Sequence, residues 1–204
     1  EAFEPITRSQ LELPGDALVL SLVSRAMAEK GWAEAIRIIE QARRLSGANI
    51  HLLLVGDGPE YDRLLGESLP EFVHLEGFQR NVRGYFAVAD MGFLPSRFRG
   101  ESFPLVIIEC LQSGVPVVAS DLGEIARMLQ GEKGMAGAVF PLLNDKIDEP
   151  AMAEFIADLA VNKDKYATLC AAAPAAAQKF DPVLLARRHD QVYRAALRDE
   201  NPAN

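Results

Sequence analysis

The chain of 204 residues is long enough for one large domain and short for two. Apolar residues make up 49% and charged residues 25%, as in ordinary globular proteins. A net charge of −8 argues against nucleic acid as a partner, because binding to a phosphate backbone favours a basic face. The sequence has no apolar run near the roughly eighteen residues that span a bilayer, and no signal-peptide pattern at its start.

Two continuous aliphatic runs that end in small residues predict strands buried on both faces, and four further apolar runs continue the series. They cover residues 17–24, 49–56, 72–77, 91–96, 116–120 and 136–140. A helical pattern lies between each run and the next, at 32–45, 60–67, 81–89, 104–112 and 124–129. The alternation of strand and helix predicts an α/β fold with a doubly wound, Rossmann-like parallel sheet.

Beyond Phe140 the pattern is helical only, over 150–161, 165–180 and 182–198. We expect these helices to cover the sheet, and Pro174 to kink or break the second of them. We find no repeat and no linker, so residues 1–204 are predicted to form a single domain with loose tails at 1–14 and 199–204. The two cysteines, Cys110 and Cys170, fit neither a disulfide framework nor a metal site, which favours a reducing, cytoplasmic setting.

Ligands of a parallel sheet bind outside the carboxyl ends of its strands, so the loops at those ends are the candidate sites. After the first strand, Arg25 and Lys30 flank a short loop and can donate to phosphate oxygens. The alternative is two solvated surface cations. After the second strand, Gly56 and Gly58 permit a close backbone approach to a ligand, although an ordinary strand-to-helix turn explains them as well.

The loop after the third strand carries Gln79 and Arg80, which can face a planar base or serve as plain turn residues. The loop after the fourth strand leads to Pro104, which suits the first turn of a helix. The amides of Leu105 and Val106 would then lie unpaired at the helix start, where an anion such as a diphosphate can bind.

Two glutamates, Glu101 and Glu109, flank that helix start. Carboxylates are good acceptors for the vicinal hydroxyls of a sugar, so a nucleoside diphosphate sugar would satisfy both the amides and the glutamates. In this interpretation Glu109 holds the ribose and Glu101 faces the transferred sugar. In the alternative, Glu109 pairs with an arginine and Glu101 is exposed.

These residues belong to an ordered set of five blocks. The blocks are "SR…EKG", "LLVGDGPE", "HLEGF", "ADMGFLPS" and "ESFPLVIIECLQSGVPVVASDLGE". In this order and spacing, residues 17–195 resemble the C-terminal, donor-binding half of the GT-B-fold glycosyltransferases, specifically the retaining family 4. The last block contains the Glu-x7-Glu motif formed by Glu101 and Glu109.

The resemblance implies a role for each matching position. Arg25 and Lys30 would bind the donor diphosphate and, with Glu101 beside the sugar, form the catalytic set. The expected donor-binding positions are Gly56, Gly58, Gln79, Arg80, Ser102, Phe103, Pro104, Leu105, Val106 and Glu109. No metal and no other cofactor is expected, because the substrate is the nucleotide sugar itself. Glu124 and Pro104 both stand at positions where the family often has glycine.

The family also has an N-terminal domain that supplies the acceptor site, and this domain is absent from the 204 residues. The chain begins with Glu1, so we expect a fragment or a processed protein that binds donor but transfers little or no sugar. The final helix would run toward the missing domain and expose apolar positions here. Any membrane contact would come through absent regions or the acceptor.

Two other functions remain open from the sequence. One is a non-catalytic module that binds nucleotide sugars or assembles a larger synthase. The other is a nucleotide-sugar hydrolase or epimerase on the same fold.

Overall fold

A computed structural model describes residues 6–199 of the chain. Its strands are β1 (Leu18–Val23), β2 (Ile50–Val55), β3 (Val73–Gly77), β4 (Met91–Leu94), β5 (Val117–Ser120), β6 (Gln130–Gly131), β7 (Gly134–Met135) and β8 (Gly137–Phe140). Six of them form one parallel sheet in the order β3-β2-β1-β4-β5-β8, while β6 and β7 form a small antiparallel hairpin. The predicted fold class is confirmed.

All eight predicted helices are present, with ends within three residues of the predicted ones. They are α1 (Trp32–Ser46), α2 (Pro59–Leu65), α3 (Val82–Val88), α4 (Leu105–Gln112), α5 (Ile125–Leu129), α6 (Glu149–Val161), α7 (Lys163–Ala177) and α8 (Pro182–Asp199). Within residues 6–199, no helix combines the length and the apolar character needed to cross a membrane.

The sheet has a core on each face because side chains alternate along every strand. Leu52 and Leu54 of β2 pack in one cluster with α1 and α6. Leu53 and Val55 belong to the opposite cluster, which includes residues of α3. Helices α4, α5 and α7 cover the remainder of that second face. This two-sided burial explains why β2 is apolar almost without interruption.

The strand order places the crevice of the sheet between β1 and β4. The chain runs outward from β1 through β2 to β3, then returns to the other side of β1 to form β4. The connections that leave β1 and β4 therefore diverge, and a crevice opens between them at the carboxyl ends of the strands. The loops that hold Arg25, Lys30 and Glu101 lie at this crevice.

Two predictions about local structure are wrong. The break predicted at Pro174 is not found, because α7 is continuous from Lys163 to Ala177, and a kink at this proline stays a prediction. Proline removes one backbone hydrogen bond, but Ala172, Ala173 and Ala176 are buried against the second core, and this packing holds the helix together.

The second wrong prediction concerns the start of the chain. Leu13 is buried, and the guanidinium of Arg8 donates to the carbonyls of Ala17 and Val88, each at 3.0 Å, and pairs with Asp90 at 2.7 Å. These contacts fasten residues 6–14 to the sheet. The remaining tail predictions, for residues 1–5 and 200–204, lie outside the described residues. At the other end, α8 exposes the apolar side chains of Val192 and Tyr193, as predicted.

Candidate functional site

The loop after β1 is built against the loop after β4 through one glycine. Gly31 has a φ of +77°, and a Cβ at this position would lie 1.9 Å from the carbonyl oxygen of Pro95. The backbone amide of Arg97 also donates to the carbonyl of Glu29 at 2.8 Å. The sequence therefore brings two loops on either side of the crevice into direct contact and sets Lys30 beside the second loop.

Lys30 and Glu101 form an ion pair at this junction. The ammonium of Lys30 contacts Oε2 of Glu101, and the two side chains are only 10% and 9% exposed. The ammonium also lies 4.6 Å from the ring centre of Phe98, a cation–π distance. The alternative in which Glu101 is exposed is wrong, because the carboxylate is buried with a cationic partner.

Ser96 is the third polar member of this cluster, and sequence reasoning noted it only as the end of a strand. Its side chain is fully buried, and Oγ lies 3.1 Å from Oε2 of Glu101 and 3.3 Å from the carbonyl oxygen of Glu29. The same oxygen accepts a hydrogen bond from the amide of Phe98 at 3.1 Å. A polar residue at the end of an apolar strand was the only sequence signal for it.

A pocket of about 160 Å³ opens on the other side of the β1 loop. It is lined by Val23, Ser24, Arg25, Val55, Gly56, Asp57, Phe78, Gln79 and Val82. Three predicted residues, Arg25, Gly56 and Gln79, are thus brought together. The guanidinium of Arg25 is exposed and has no hydrogen bond or ion pair with any residue in 6–199, so an anion can approach it.

The two glycines of the β2 loop are needed for backbone packing. Gly56 and Gly58 have φ values of +139° and +134°. A Cβ would lie 1.9 Å from the carbonyl oxygen of Ser24 at the first position and 2.7 Å from that of Ala26 at the second. This close approach of two loops supports the structural explanation of these glycines, and their contact with a ligand remains a prediction.

The β3 loop contributes Gln79 to the pocket, while Arg80 is exposed and does not line it. The amide of Gln79 donates to the carbonyl of Glu76 at 2.7 Å. Phe78 lines the pocket with 65% of its surface exposed, an apolar plane beside Arg25. Sequence reasoning missed Phe78, although an aromatic residue after a glycine turn was a visible signal.

The start of α4 differs slightly from the prediction. Pro104 has extended backbone angles and precedes the helix, which begins at Leu105 rather than at the proline. Within residues 6–199, the amides of Leu105 and Val106 have no hydrogen-bond partner, as expected at a helix start. Phe103 packs edge-on against Phe180 with ring centres 5.9 Å apart.

Ser102 joins the start of α4 to the loop that follows β5. Its carbonyl accepts a hydrogen bond from the amide of Glu124 at 2.8 Å. Glu124 stands where glycine is frequent in the family that the sequence resembles, and its side chain points to Arg127 at 3.1 Å. The departure at Glu124 is therefore accommodated by a local ion pair on α5.

Glu109 lies on α4, half-buried, and has no side-chain hydrogen bond or ion pair with residues 6–199. Burial raises the pKa of its carboxyl group, and the charge of Arg83 partly counteracts this effect. The alternative in which an arginine pairs with Glu109 is therefore not found. A half-buried carboxylate without a donor remains available to accept hydrogen bonds from hydroxyl groups.

Comparison with known proteins identifies the family. Residues 17–162 match the model of the glycosyl transferases group 1. The chain belongs to this family. The resemblance inferred from the sequence is confirmed at that level, while its narrower form, the donor-binding half of a family 4 enzyme, remains a prediction.

The relatives of this chain come from several bacteria. The lipopolysaccharide core biosynthesis glycosyltransferase LpsD of Rhizobium meliloti is 33% identical over 122 residues, which cover 57% of this chain and 33% of LpsD. The D-inositol 3-phosphate glycosyltransferase of Corynebacterium urealyticum is 28% identical over 96% of this chain and 48% of its own length. The chain spans about a quarter to a third of the length of the first curated relatives that it matches.

Solved structures confirm the fold. Anabaena HepE in complex with UDP-glucose superposes with a TM-score of 0.72 at 23% identity, covering 92% of this chain and 51% of HepE. The sucrose-phosphate synthase of Thermosynechococcus elongatus gives a TM-score of 0.74 at 24% identity, covering 97% of this chain and 50% of the synthase. The chain therefore has the fold of about half of a GT-B glycosyltransferase.

Proposed function

We propose that residues 1–204 form the donor-binding, C-terminal domain of a retaining family 4 glycosyltransferase. The enzyme moves a hexose from a nucleoside diphosphate sugar to a glycan, a lipid or a small-molecule acceptor. The observation that carries the proposal is the Lys30–Glu101 ion pair at the crevice of the sheet, across the β1 loop from the pocket lined by Arg25. Lys30 can bind a phosphate and Glu101 can accept hydrogen bonds from sugar hydroxyls. The two side chains lie together at the edge of the sheet where ligands of parallel sheets bind.

Each side chain has a role in this proposal. Arg25 and Lys30 bind the diphosphate, and the free amides at the start of α4 add partial positive charge. Glu101 accepts hydrogen bonds from the donor sugar, and Glu109 accepts them from the ribose. The pocket between Phe78 and Arg25 receives the base, whose planar surface suits an exposed aromatic ring.

Departure of the nucleoside diphosphate builds negative charge on the leaving oxygen. Lys30 and Arg25 stabilise this charge from fixed loops, and such preorganised electrostatics is usually the largest catalytic contribution. The cations take the place that a metal ion has in other enzymes of phosphate chemistry, so we propose that the reaction needs no metal. Anomeric configuration is retained in this scheme.

The acceptor is bound in this proposal by an N-terminal domain outside the 204 residues. The chain covers only about half of each of the two solved GT-B structures, which supports this view. The donor-binding domain alone would then bind nucleotide sugar with little or no transfer of its own. A cytoplasmic location suits the enzyme, and it agrees with the two cysteines being unpaired.

Calorimetric titration of the chain with UDP, GDP and their sugar conjugates tests the donor site. Arg25→Ala is expected to weaken binding about tenfold or more, since it removes a charge-assisted contact. Arg187→Ala is the matched control, because Arg187 is exposed on α8, away from the crevice. Equal affinity of the Arg25 and Arg187 variants would contradict the assignment.

Nucleotide release by the full-length protein tests the reaction. Release that depends on an acceptor supports a transferase, while release without acceptor supports a hydrolase. Binding without release under any condition supports a non-catalytic module. Addition of EDTA is expected to leave release unchanged, and a loss of release that magnesium restores would contradict the metal-free scheme.

A further inference from the structure

The side chain of Glu101 is held by donors from two different loops. One is the ammonium of Lys30, from the loop after β1, and the other is the hydroxyl of Ser96, at the end of the β4 segment. We propose that Ser96 is the positioning residue that orients Glu101 toward the donor sugar. This inference rests on the proposed function, because it assumes that Glu101 meets the sugar.

The two donors differ in how firmly they fix the carboxylate. Lys30 is a point charge at the end of a flexible four-carbon chain, so it attracts Glu101 without defining an orientation. Lys30 is also the group that the donor diphosphate attracts. The hydroxyl of Ser96 sits on a single carbon and makes a directional contact of 3.1 Å to Oε2.

Ser96 is itself fixed by its surroundings. Its side chain is fully buried, and its oxygen accepts the amide hydrogen of Phe98 at 3.1 Å. The amide of Glu101 in turn donates to the carbonyl of Phe98 at 3.0 Å. The turn from Ser96 to Glu101 is therefore closed on itself by backbone and side-chain hydrogen bonds.

This arrangement assigns different tasks to the two carboxylate oxygens. Oε2 faces inward to Ser96 and Lys30, while Oε1 has no partner among residues 6–199. Oε1 is then the oxygen that accepts hydrogen bonds from sugar hydroxyls. The hydroxyl of Ser96 can also reach the carbonyl of Glu29 at 3.3 Å, but an ionised carboxylate is the stronger acceptor.

The test compares nucleotide sugars with bare nucleotides. A bare nucleoside diphosphate does not reach the sugar position, so its affinity reports on the integrity of the loops. The ratio of the UDP and UDP-glucose dissociation constants, and likewise of GDP and GDP-mannose, reports on Glu101. Ser96→Ala is expected to reduce this ratio about tenfold, because loss of a hydrogen bond to a charged group weakens binding of the sugar by that amount. The affinity for the bare nucleotide should be nearly unchanged.

Ser21→Ala is the matched control. Ser21 is a buried serine in the middle of β1, and its hydroxyl has no hydrogen-bond partner among the described residues, so its loss should leave the ratio unchanged. Ser96→Cys keeps the shape of the side chain with a weaker donor, and it decides the question if the alanine variant does not fold. An intermediate loss in this variant supports the proposal.

Three outcomes overturn the inference and are distinguishable. Equal weakening of bare nucleotide and nucleotide sugar assigns Ser96 a purely structural role. An unchanged ratio in both Ser96 variants shows that Glu101 is oriented without it. Failure of the unmodified chain to bind any of the four nucleotides refutes the proposed function, and the inference with it.

Discussion

Lys30 and Glu101 are in contact although 71 positions separate them in the chain. The contact joins the β1 and β4 loops at the crevice, and the carboxylate of Glu101 compensates the positive charge of Lys30. If Lys30 binds the donor diphosphate, as proposed, the phosphate must compete with this internal carboxylate for the ammonium group. Such competition lowers the affinity for phosphate and makes it sensitive to Glu101.

Replacement of Glu101 by glutamine should reveal this competition. The variant keeps the size of the side chain and removes its charge, so Lys30 is free to bind phosphate. We expect the affinity of bare UDP or GDP to increase about fivefold, while the additional affinity from the sugar decreases. Isothermal titration calorimetry measures both effects.

The control for that variant is Glu132→Gln. Glu132 is exposed near the β6–β7 hairpin, and its replacement changes the net charge by the same amount. A similar increase in nucleotide affinity in both variants would assign the effect to net charge. A decrease in affinity in Glu101→Gln would show that Lys30 and Glu101 do not compete.

Gly31 should tolerate alanine far less well than Gly47 does. Both residues have positive φ, +77° and +67°, so an alanine is strained at either position. A Cβ at Gly31 collides with the carbonyl of Pro95, whereas at Gly47 it meets nothing within 4 Å. Gly47→Ala should cost about 1 kcal/mol from backbone strain alone, and Gly31→Ala about 3 kcal/mol or more.

Chemical denaturation of the two variants gives the free energy of unfolding for this comparison. Nucleotide affinity should decrease in Gly31→Ala alone, because the glycine joins the loops that hold Lys30. Equal costs at the two positions would show that the collision is relieved without strain.

A pair of histidines on β2 and β3 should make the fold sensitive to acid. Nδ1 of His51 lies 2.9 Å from Nε2 of His74, and Nε2 of His51 lies 3.1 Å from the amide oxygen of Asn49. Burial lowers the pKa of both histidines, and the charge of His74 adds to the effect at His51. The other charged groups around the pair are Arg43, Asp16 and Glu12.

When the pKa of a histidine is lowered on folding, the unfolded state binds the proton more tightly, so protonation destabilises the folded state. Stability should therefore be constant above the unfolded pKa of 6.5 and decrease as the pH falls below it. Thermal melts between pH 8 and pH 5 should show this decrease, and His74→Gln should reduce its slope by about half. His189→Gln, on exposed α8, should leave the slope as it is. Identical slopes in the two variants would exclude the pair as the cause.

Glu109 should show a conflict between stability and binding. Burial raises the pKa of its carboxyl group, so the folded state binds a proton more tightly than the unfolded state does. Its contribution to stability therefore decreases as the pH rises above 4.5, the usual pKa of a glutamate, and it is lost as the pH passes the raised pKa of the folded state.

Glu109→Gln removes the cost of burying an ionised carboxylate. It should raise the melting temperature at pH 7 by about 1 °C, and the gain is small because the site is partly solvated. The difference from the unmodified chain should disappear near pH 4. Nucleotide affinity should decrease in the same variant, since an amide is a weaker acceptor for ribose hydroxyls. A variant that is less stable at pH 7 would show that Glu109 has a partner that stabilises it.

Much of the fold follows from local sequence patterns. Continuous aliphatic runs such as 49–56 occur in strands that are covered on both faces, and the helices between them follow from their 3.6-residue period. The hairpin of β6 and β7 was missed because strands of two residues have no period to detect. The continuity of α7 through Pro174 was missed because burial of its alanines outweighs the lost hydrogen bond.

The sequence by itself determined which residues reach the carboxyl ends of the strands, because each of Arg25, Lys30, Gln79 and Glu101 follows a recognisable strand. Only the tertiary structure decided which of them meet. Lys30 pairs with Glu101, and Ser96 supports that pair, because the order of the strands sets the β1 and β4 loops side by side and Gly31 lets their backbones touch. Strand order is a property of long-range packing, and no local pattern of residues encodes it.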